Sequence, residues 1–193
     1  MLNLPNVLTL ERILAAPVVM VLLAAGTRVT AWAAAGVFLL SAITDLVDGM
    51  LARRWNQVSL LGKFLDPLAD KVLVLGTLLV LLDLGRISPW VVFVILGREI
   101  GVGTLRTIAM GEGVVIAARD LGKQKTLFQM SGLVALILSE SFTVGGFTVD
   151  LQAVGNVLLW IGAALALVSA VDYVVGFLRG RSNAGAPTAD GSG

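Results

Sequence analysis

Runs of about 20 apolar residues, the length a helix needs to cross a hydrocarbon core of roughly 30 Å, recur along this chain with short breaks between them. Six segments qualify: approximately Leu8 to Ala25, Ala31 to Leu51, Leu65 to Leu82, Pro89 to Met110, Leu121 to Glu140 and Leu151 to Leu178. Turn signals separate them at Gly26 with Thr27, Arg54 to Gly62, Asp83 to Ser88, Gly111 to Gly122, and Ser141 to Asp150. The pattern predicts an all-α integral membrane protein, a single six-helix transmembrane domain over residues 1–180. Met1 to Val7, with Leu2, Leu4, Pro5 and Val7, predicts a short interfacial segment ahead of the first span. Beyond Gly180 the sequence turns to Gly, Ser, Ala and Pro, which predicts a flexible tail over 181–193.

Composition agrees with that pattern. The 193 residues are 57% hydrophobic and 14% charged, with a mean hydropathy of +0.93, too little polar surface for an ordinary soluble domain. A net charge of +1 hides an uneven distribution. Arg53, Arg54, Lys63, Arg119, Lys123, Lys125, Arg179 and Arg181 fall in or beside the second and fourth breaks and the tail, against Arg28 and Arg86 on the other side. By the positive-inside rule both termini are expected in the cytoplasm. The first run offers small residues at Ala24 to Gly26, as a secretory signal does. However, Met1 to Leu8 has no Lys or Arg, and the run itself contains Glu11 and Arg12, which argues for a span.

The acidic residues carry the chemistry. Asp45 and Asp48 are followed by Gly49, Ala52 and Arg53, then by Gly62, Asp66 and Asp70, a frame reading DxxDGxxAR, eight residues, GxxxDxxxD. Within each pair the spacing is three or four residues, so on a helix both carboxylates project from one side. An aspartate in mid-membrane costs about 2.5–3.5 kcal/mol, and four together repel unless neutralised. Two divalent ions, about 3.5–4 Å apart in typical two-metal sites, would balance them and clamp a phosphate. The chain has no cysteine and no histidine, so an oxygen-only ligand set favours Mg2+ or Mn2+. Asp45, Asp48 and Asp66 form the expected ligand set, with Asp70 as a ligand, a base, or both. The break between the pairs is short enough for a helical hairpin that lets them face each other near the cytoplasmic side.

Other residues are weighed against plainer roles. A glycine alone in a membrane helix reads as packing; after Asp48, Gly49 instead allows a bulky headgroup to approach, and Arg53 can pair with phosphate. Arg98 lies midway along an apolar run and must face the interior to meet an acid or a phosphate. Glu99 points about 100° around the helix and is not assumed to be its partner. Arg106, Arg119, Lys123 and Lys125 surround the fourth break, where anchoring to the inner face competes with phosphate binding. Trp32, Trp55, Trp90 and Trp160 read as interface anchors or packing, and Gly97, Gly101 and Gly103 as close-packing positions. Pro67 is expected in the first turn of the third span, with Asp66 as its cap.

The aspartate frame, complete at all eight marked positions over 26 residues, resembles the signature of the CDP-alcohol phosphotransferases, integral membrane enzymes that use a CDP-linked donor. Asn3, Leu4, Pro5, Asn6, Leu8, Thr9 and Arg12 at the amino terminus, ITDLVDGMLARR at Ile43 to Arg54, LGKFLDPLADKVL at Leu61 to Leu73, Arg98 with Glu99, and GKQKT at Gly122 to Thr126 followed by Gln129 are similar to the branch that makes phosphatidylglycerophosphate. The likeness extends to about Leu178. It implies the six-helix fold of that family and attack of glycerol 3-phosphate on the diacylglycerol-bearing phosphate of CDP-diacylglycerol, releasing CMP. Carried over by position, Asp45, Asp48 and Asp66 become metal ligands, and Asp70 touches the second metal and takes the proton. Gly49, Arg53 and Ser59 fall where the family holds the CDP group, bordered by Asn6 and Thr9. Arg98, Lys123, Lys125 and Arg106 are the candidates for the acceptor phosphate. The resemblance further implies a homodimer among membrane lipids in a bacterial-type inner membrane, with a cytoplasmic active site and no nucleic-acid partner.

Chemistry sets one tension against this assignment, because a carboxylate bound to a cation has its pKa lowered and is a weak base. Acidification of the incoming hydroxyl by the same cations relieves it. Two rivals stand beside this reading. One keeps the chemistry and changes the acceptor, to inositol phosphate or a phospholipid. The other is a divalent-cation channel or carrier, which predicts acids spread through the membrane depth, whereas the four aspartates gather at one side. The chain has no internal repeat to favour a transporter.

Overall fold

The computed structural model describes the backbone of residues 4–55, 60–112, 121–144 and 147–184, and side chains within 10–44, 71–112, 124–143 and 148–178 together with Arg181. Six helices and one β-hairpin follow in order: α1 (Leu4–Ala24), α2 (Arg28–Trp55), α3 (Leu60–Asp83), α4 (Pro89–Gly111), α5 (Leu121–Leu138), β1 (Ser141–Val144), β2 (Phe147–Asp150) and α6 (Leu151–Ala184). All six apolar runs form helices.

Three boundaries differ from expectation. Helix α1 starts at Leu4, so most of the predicted interfacial segment is continuous with the first helix. Helix α3 starts at Leu60, which puts Pro67 inside it and leaves Asp66 a mid-helix residue instead of a cap. Leu60, Leu61, Phe64 and Leu65 extend the apolar periodicity backward. A proline in a helix of this kind is tolerated where neighbouring groups satisfy the freed carbonyl. Helix α6 continues past Gly180 to Ala184. The break from Ser141 to Asp150 is an antiparallel hairpin, pairing Ser141 with Asp150 and Thr143 with Thr148.

Helix ends follow the local chemistry. Gly85 after α3 has φ +66°, a conformation open to glycine without strain, and it ends that helix. Ser88 caps α4, its hydroxyl accepting from the Trp90 amide at 3.3 Å, and Pro89 takes the first turn. At the same end of the bundle Arg86 Nη1 donates to the carbonyls of Leu136 (2.9 Å) and Ile137 (3.0 Å), placing a cation on the open C-terminus of α5. Glu140 accepts from Arg28 Nε at 2.7 Å and from Trp32 Nε1 at 3.1 Å, tying the start of α2 to the end of α5.

Two packing centres meet in one core. Helix α1 lies against both α2 and α3, while α6 lies against α5 and α4, and α2 touches α5. Phe38, Leu73, Leu78, Leu81, Leu133, Leu136, Ile137 and Leu159 are fully buried between them. The closest approach is between α5 and α6: a Cβ on Gly155 would sit 2.9 Å from the Gly132 carbonyl oxygen, and one on Gly132 would sit 3.0 Å from that of Gly155. The expectation for Gly97, Gly101 and Gly103 fails. A Cβ at Gly97 or Gly101 meets nothing within 4 Å, and one at Gly103 only the Lys71 ammonium at 3.5 Å, because these residues lie away from the α5–α6 crossing.

Outward-facing side chains are strongly apolar, including Val29, Trp90, Phe93, Ile100, Met110 and Leu127, all more than 60% exposed. Among the described residues, the Leu151–Leu178 part of α6, 28 residues with mean hydropathy 2.1, is long and apolar enough to cross a bilayer, and Arg28–Thr44 is a shorter apolar stretch.

Candidate functional site

The aspartate frame occupies two helices. Asp45, Asp48, Gly49 and Arg53 lie in the C-terminal part of α2, and Asp66 and Asp70 in the N-terminal half of α3. The backbone is helical through both pairs, so each keeps one face of its helix as the spacing requires. The side chains of these six residues lie outside the described residues, as do those of Asn6 and Thr9 in α1 and Lys123 in α5, and Ser59 falls outside altogether. Whether the two pairs face across a hairpin therefore also falls outside the described residues; within them, the broad contacts of α2 and α3 are with α1.

A polar cluster joins α4, α5 and α6. Arg98 on α4 donates from Nη1 to Glu99 Oε1 at 2.8 Å, from Nε to the Ala166 carbonyl at 3.3 Å and from Nη2 to Ser169 Oγ at 3.3 Å. Lys125 on α5 donates to the same Glu99 oxygen. Arg98 thus meets an acid, as its position in an apolar run demands. The acid is the neighbour that helix geometry had set aside, because the flexible stems of both residues bridge the angle between them. Arg106, two turns along α4, donates to the Tyr173 hydroxyl at 3.2 Å and lies 5.7 Å from that ring's centroid, a cation–π arrangement.

Lys71 links this cluster to the aspartates. Its ammonium reaches α4 at Gly103, one helical turn from Glu99. Lys71 directly follows Asp70 in α3. Nothing in the spacing of the sequence singles out Lys71; its neighbour across the bundle does.

A second feature lies between α1 and α2. Ser41, fully buried and one turn ahead of Asp45, donates to Glu11 Oε1 at 3.0 Å. Among the described residues, Glu11 Oε2 is buried with no hydrogen-bond partner. Glu11 borders an open, largely apolar groove of about 400 Å³ with Leu10, Leu14, Ala15, Val18 and Val37. An acidic residue inside an apolar run is the sequence signal for this feature.

Comparison with known proteins bears on the same stretch. The family model for CDP-alcohol phosphatidyltransferases matches residues 2–168. A Bacillus subtilis protein named CDP-diacylglycerol–glycerol-3-phosphate 3-phosphatidyltransferase is 37% identical over 186 residues, covering 90% of this chain and 94% of the relative. A Rickettsia bellii protein of the same name is 36% identical over 171 residues, covering 89% and 93%. A Mycobacterium tuberculosis protein named probable phosphatidylglycerophosphate synthase is 38% identical over 185 residues, covering 92% and 82%. The match takes in α1 to α5 whole and much of α6, with the aspartate frame inside it, and the chain belongs to the CDP-alcohol phosphatidyltransferase family.

Proposed function

We propose that the protein transfers the phosphatidyl group of CDP-diacylglycerol to glycerol 3-phosphate, giving phosphatidylglycerophosphate and CMP. The observation that carries this is the complete aspartate frame, set in helices α2 and α3, in a chain that aligns over about nine-tenths of its length with relatives named for that reaction. It is an enzyme of phospholipid synthesis, and its family is membrane-bound and uses divalent metals.

The donor set fits a hard divalent cation: carboxylates alone, paired by helical backbone, in a chain without cysteine or histidine. Asp45, Asp48, Asp66 and Asp70 would hold two ions of Mg2+ or Mn2+. When bound, these ions neutralise charge on the attacked phosphate and on departing CMP. Gly49, Arg53 and Ser59, bordered by Asn6 and Thr9, hold the CDP group. Asp70 accepts the proton of the glycerol 3-phosphate primary hydroxyl as its oxygen bonds to the diacylglycerol-bearing phosphorus. The bond from that phosphorus to the CMP oxygen breaks.

Arg98, Lys123, Lys125 and Arg106 hold the acceptor's phosphate, and Arg98 and Lys125 are supported by their convergence at one point beside α6. Fixing that phosphate aims the hydroxyl and keeps the second substrate from drifting, a positioning effect of large catalytic value. All six helices span a bacterial-type inner membrane, with termini and active site cytoplasmic, where the nucleotide-linked lipid and the water-soluble acceptor meet. The enzyme acts as a homodimer, as the family resemblance implies.

Purified protein given CDP-diacylglycerol, Mg2+ or Mn2+ and a panel of acceptors tests the reaction directly. CMP release is expected with glycerol 3-phosphate, and neither inositol phosphate nor phosphatidylglycerol should replace it. Chelation should stop release and either metal should restore it. Release with another acceptor alone would reassign the substrate, and no release with any acceptor would remove the reaction.

A further inference from the structure

We infer that Glu99 holds the place of the acceptor's phosphate in the acceptor-free enzyme, as a carboxylate latch that glycerol 3-phosphate displaces. This rests on reading Arg98 and Lys125 as the phosphate subsite. Cations from two different helices, α4 and α5, converge on a single oxygen, Glu99 Oε1. That arrangement has the form of a phosphate oxygen between two cations, with a carboxylate oxygen in its position.

The three side chains differ in a way that makes an exchange feasible. Arg98 is 9% exposed and Lys125 11%, while Glu99 is 30% exposed. The two cations are the more buried members and the anion is the more exposed one. Arg98 is also anchored without Glu99, through the Ala166 carbonyl and the Ser169 hydroxyl on α6. Its Nε and Nη2 can stay fixed while Nη1 changes partner. A phosphate dianion has more charge and more acceptor oxygens than the carboxylate it replaces, so two cations favour it.

The latch serves two ends. With no acceptor bound it keeps two cations compensated in an apolar bundle, where unpaired charge is costly. It also screens anions, because only one that outcompetes a tethered carboxylate can enter. The site lies one turn from Gly103, where Lys71 arrives from beside Asp70, so the phosphate that takes the latch's place is held close to the segment carrying the proposed base.

Inorganic phosphate is the probe, assayed as a competitive inhibitor against glycerol 3-phosphate in CMP release. Glu99→Gln should lower the inhibition constant of phosphate several-fold and the KM for glycerol 3-phosphate with it. The rise in thermal midpoint produced by phosphate should also be larger than in the unaltered enzyme. A phosphate inhibition constant that is unchanged or raised would overturn the latch and leave Glu99 as a positioning residue for the two cations. Should Glu99→Gln fail to fold, Glu99→Asp carries the test: the shorter arm keeps the charge but loosens its grip, so phosphate should again inhibit more tightly, and unchanged or weaker inhibition overturns the latch. Arg98→Lys and Lys125→Ala separate the two ideas. If neither raises the KM for glycerol 3-phosphate, the subsite reading itself falls; if they raise it while the Glu99 variants fail to tighten phosphate, only the latch falls.

Discussion

Asp70 and its neighbour Lys71 show what a single residue is asked to do here. Asp70 carries two duties in the proposed mechanism, holding a metal and taking a proton, and an amide keeps some of the first while losing the second. Asp70→Asn should therefore reduce CMP release by at least about 10²-fold, the lower range for loss of a general base, while metal binding followed by calorimetry remains measurable. Near-normal turnover would take Asp70 out of the base role. Arg98 and Lys125 belong to a different class of prediction, because the proposed function has them hold the acceptor and not the reacting bond. Lys125→Ala should raise the KM for glycerol 3-phosphate more than that for CDP-diacylglycerol, and the reverse pattern would assign this lysine to the donor. The need for a buried partner to Arg98 was legible in the sequence, since an isolated guanidinium in an apolar run is costly. The identity of that partner was not. Angular position on a helix fixes where a side chain starts, and long flexible stems decide where its charge ends; the Arg98–Glu99 pair, at 2.8 Å, is made by the second.

Element positions were the most legible level, and for a physical reason: a bilayer-length apolar run bounded by turn residues leaves few alternatives to a helix. All six were found, and the residual errors lie at ends where apolar periodicity continues past a break, as at Leu60 and Leu4. The hairpin was missed although its signal is present. Ser141 to Asp150 reads SFTVGGFTVD, two β-branched and aromatic triplets around a Gly-Gly pair, which is a hairpin pattern once alternation is tested inside a loop. Glycines were the other failure, because composition shows where helices are able to approach closely and only packing shows where they do. That difference yields a stability prediction. Gly155→Val would force side-chain atoms against the Gly132 carbonyl and Leu136 Cγ, the latter 2.7 Å from a Cβ at this position. Overpacking of this kind costs about 1–3 kcal/mol. Thermal unfolding in detergent should show a lowered midpoint for Gly155→Val and no loss for Gly97→Ala, whose added methyl meets open space. Equal losses in both would mean that the α5–α6 crossing is not where the bundle is tight.

Among the described residues the core is apolar, as in a protein in water, and the outer surface is apolar as well. Leu14, Val21, Val29, Phe93, Ile100, Leu127 and Leu178 face outward, while Arg12, Ser41, Thr77, Lys125 and Gln129 are buried. Apolar side chains exposed in this number are stable where hydrocarbon surrounds them. The two ends of the bundle differ in chemistry as well. One end carries the exposed hairpin and the Arg28–Glu140–Trp32 contact; the other carries the ends of α4 and α6, where Arg181 pairs with Glu112 at 3.7 Å, amid the excess of Lys and Arg. The positive-inside rule predicts that the second end faces the cytoplasm, the orientation proposed above, in which the site opens toward the cytidine nucleotide and glycerol 3-phosphate. Because the chain has no cysteine, single substitutions give an unambiguous readout. Thr143→Cys, exposed on β1, should react with a membrane-impermeant maleimide in intact cells, and Glu112→Cys, exposed at the end of α4, should react only after the membrane is opened. The opposite labelling would put the aspartate helices toward a compartment without the donor's headgroup pool. Labelling of both in intact cells would show that the bundle does not separate two compartments, and with that the bilayer argument for why these carboxylates and cations gather at one end would lose its footing.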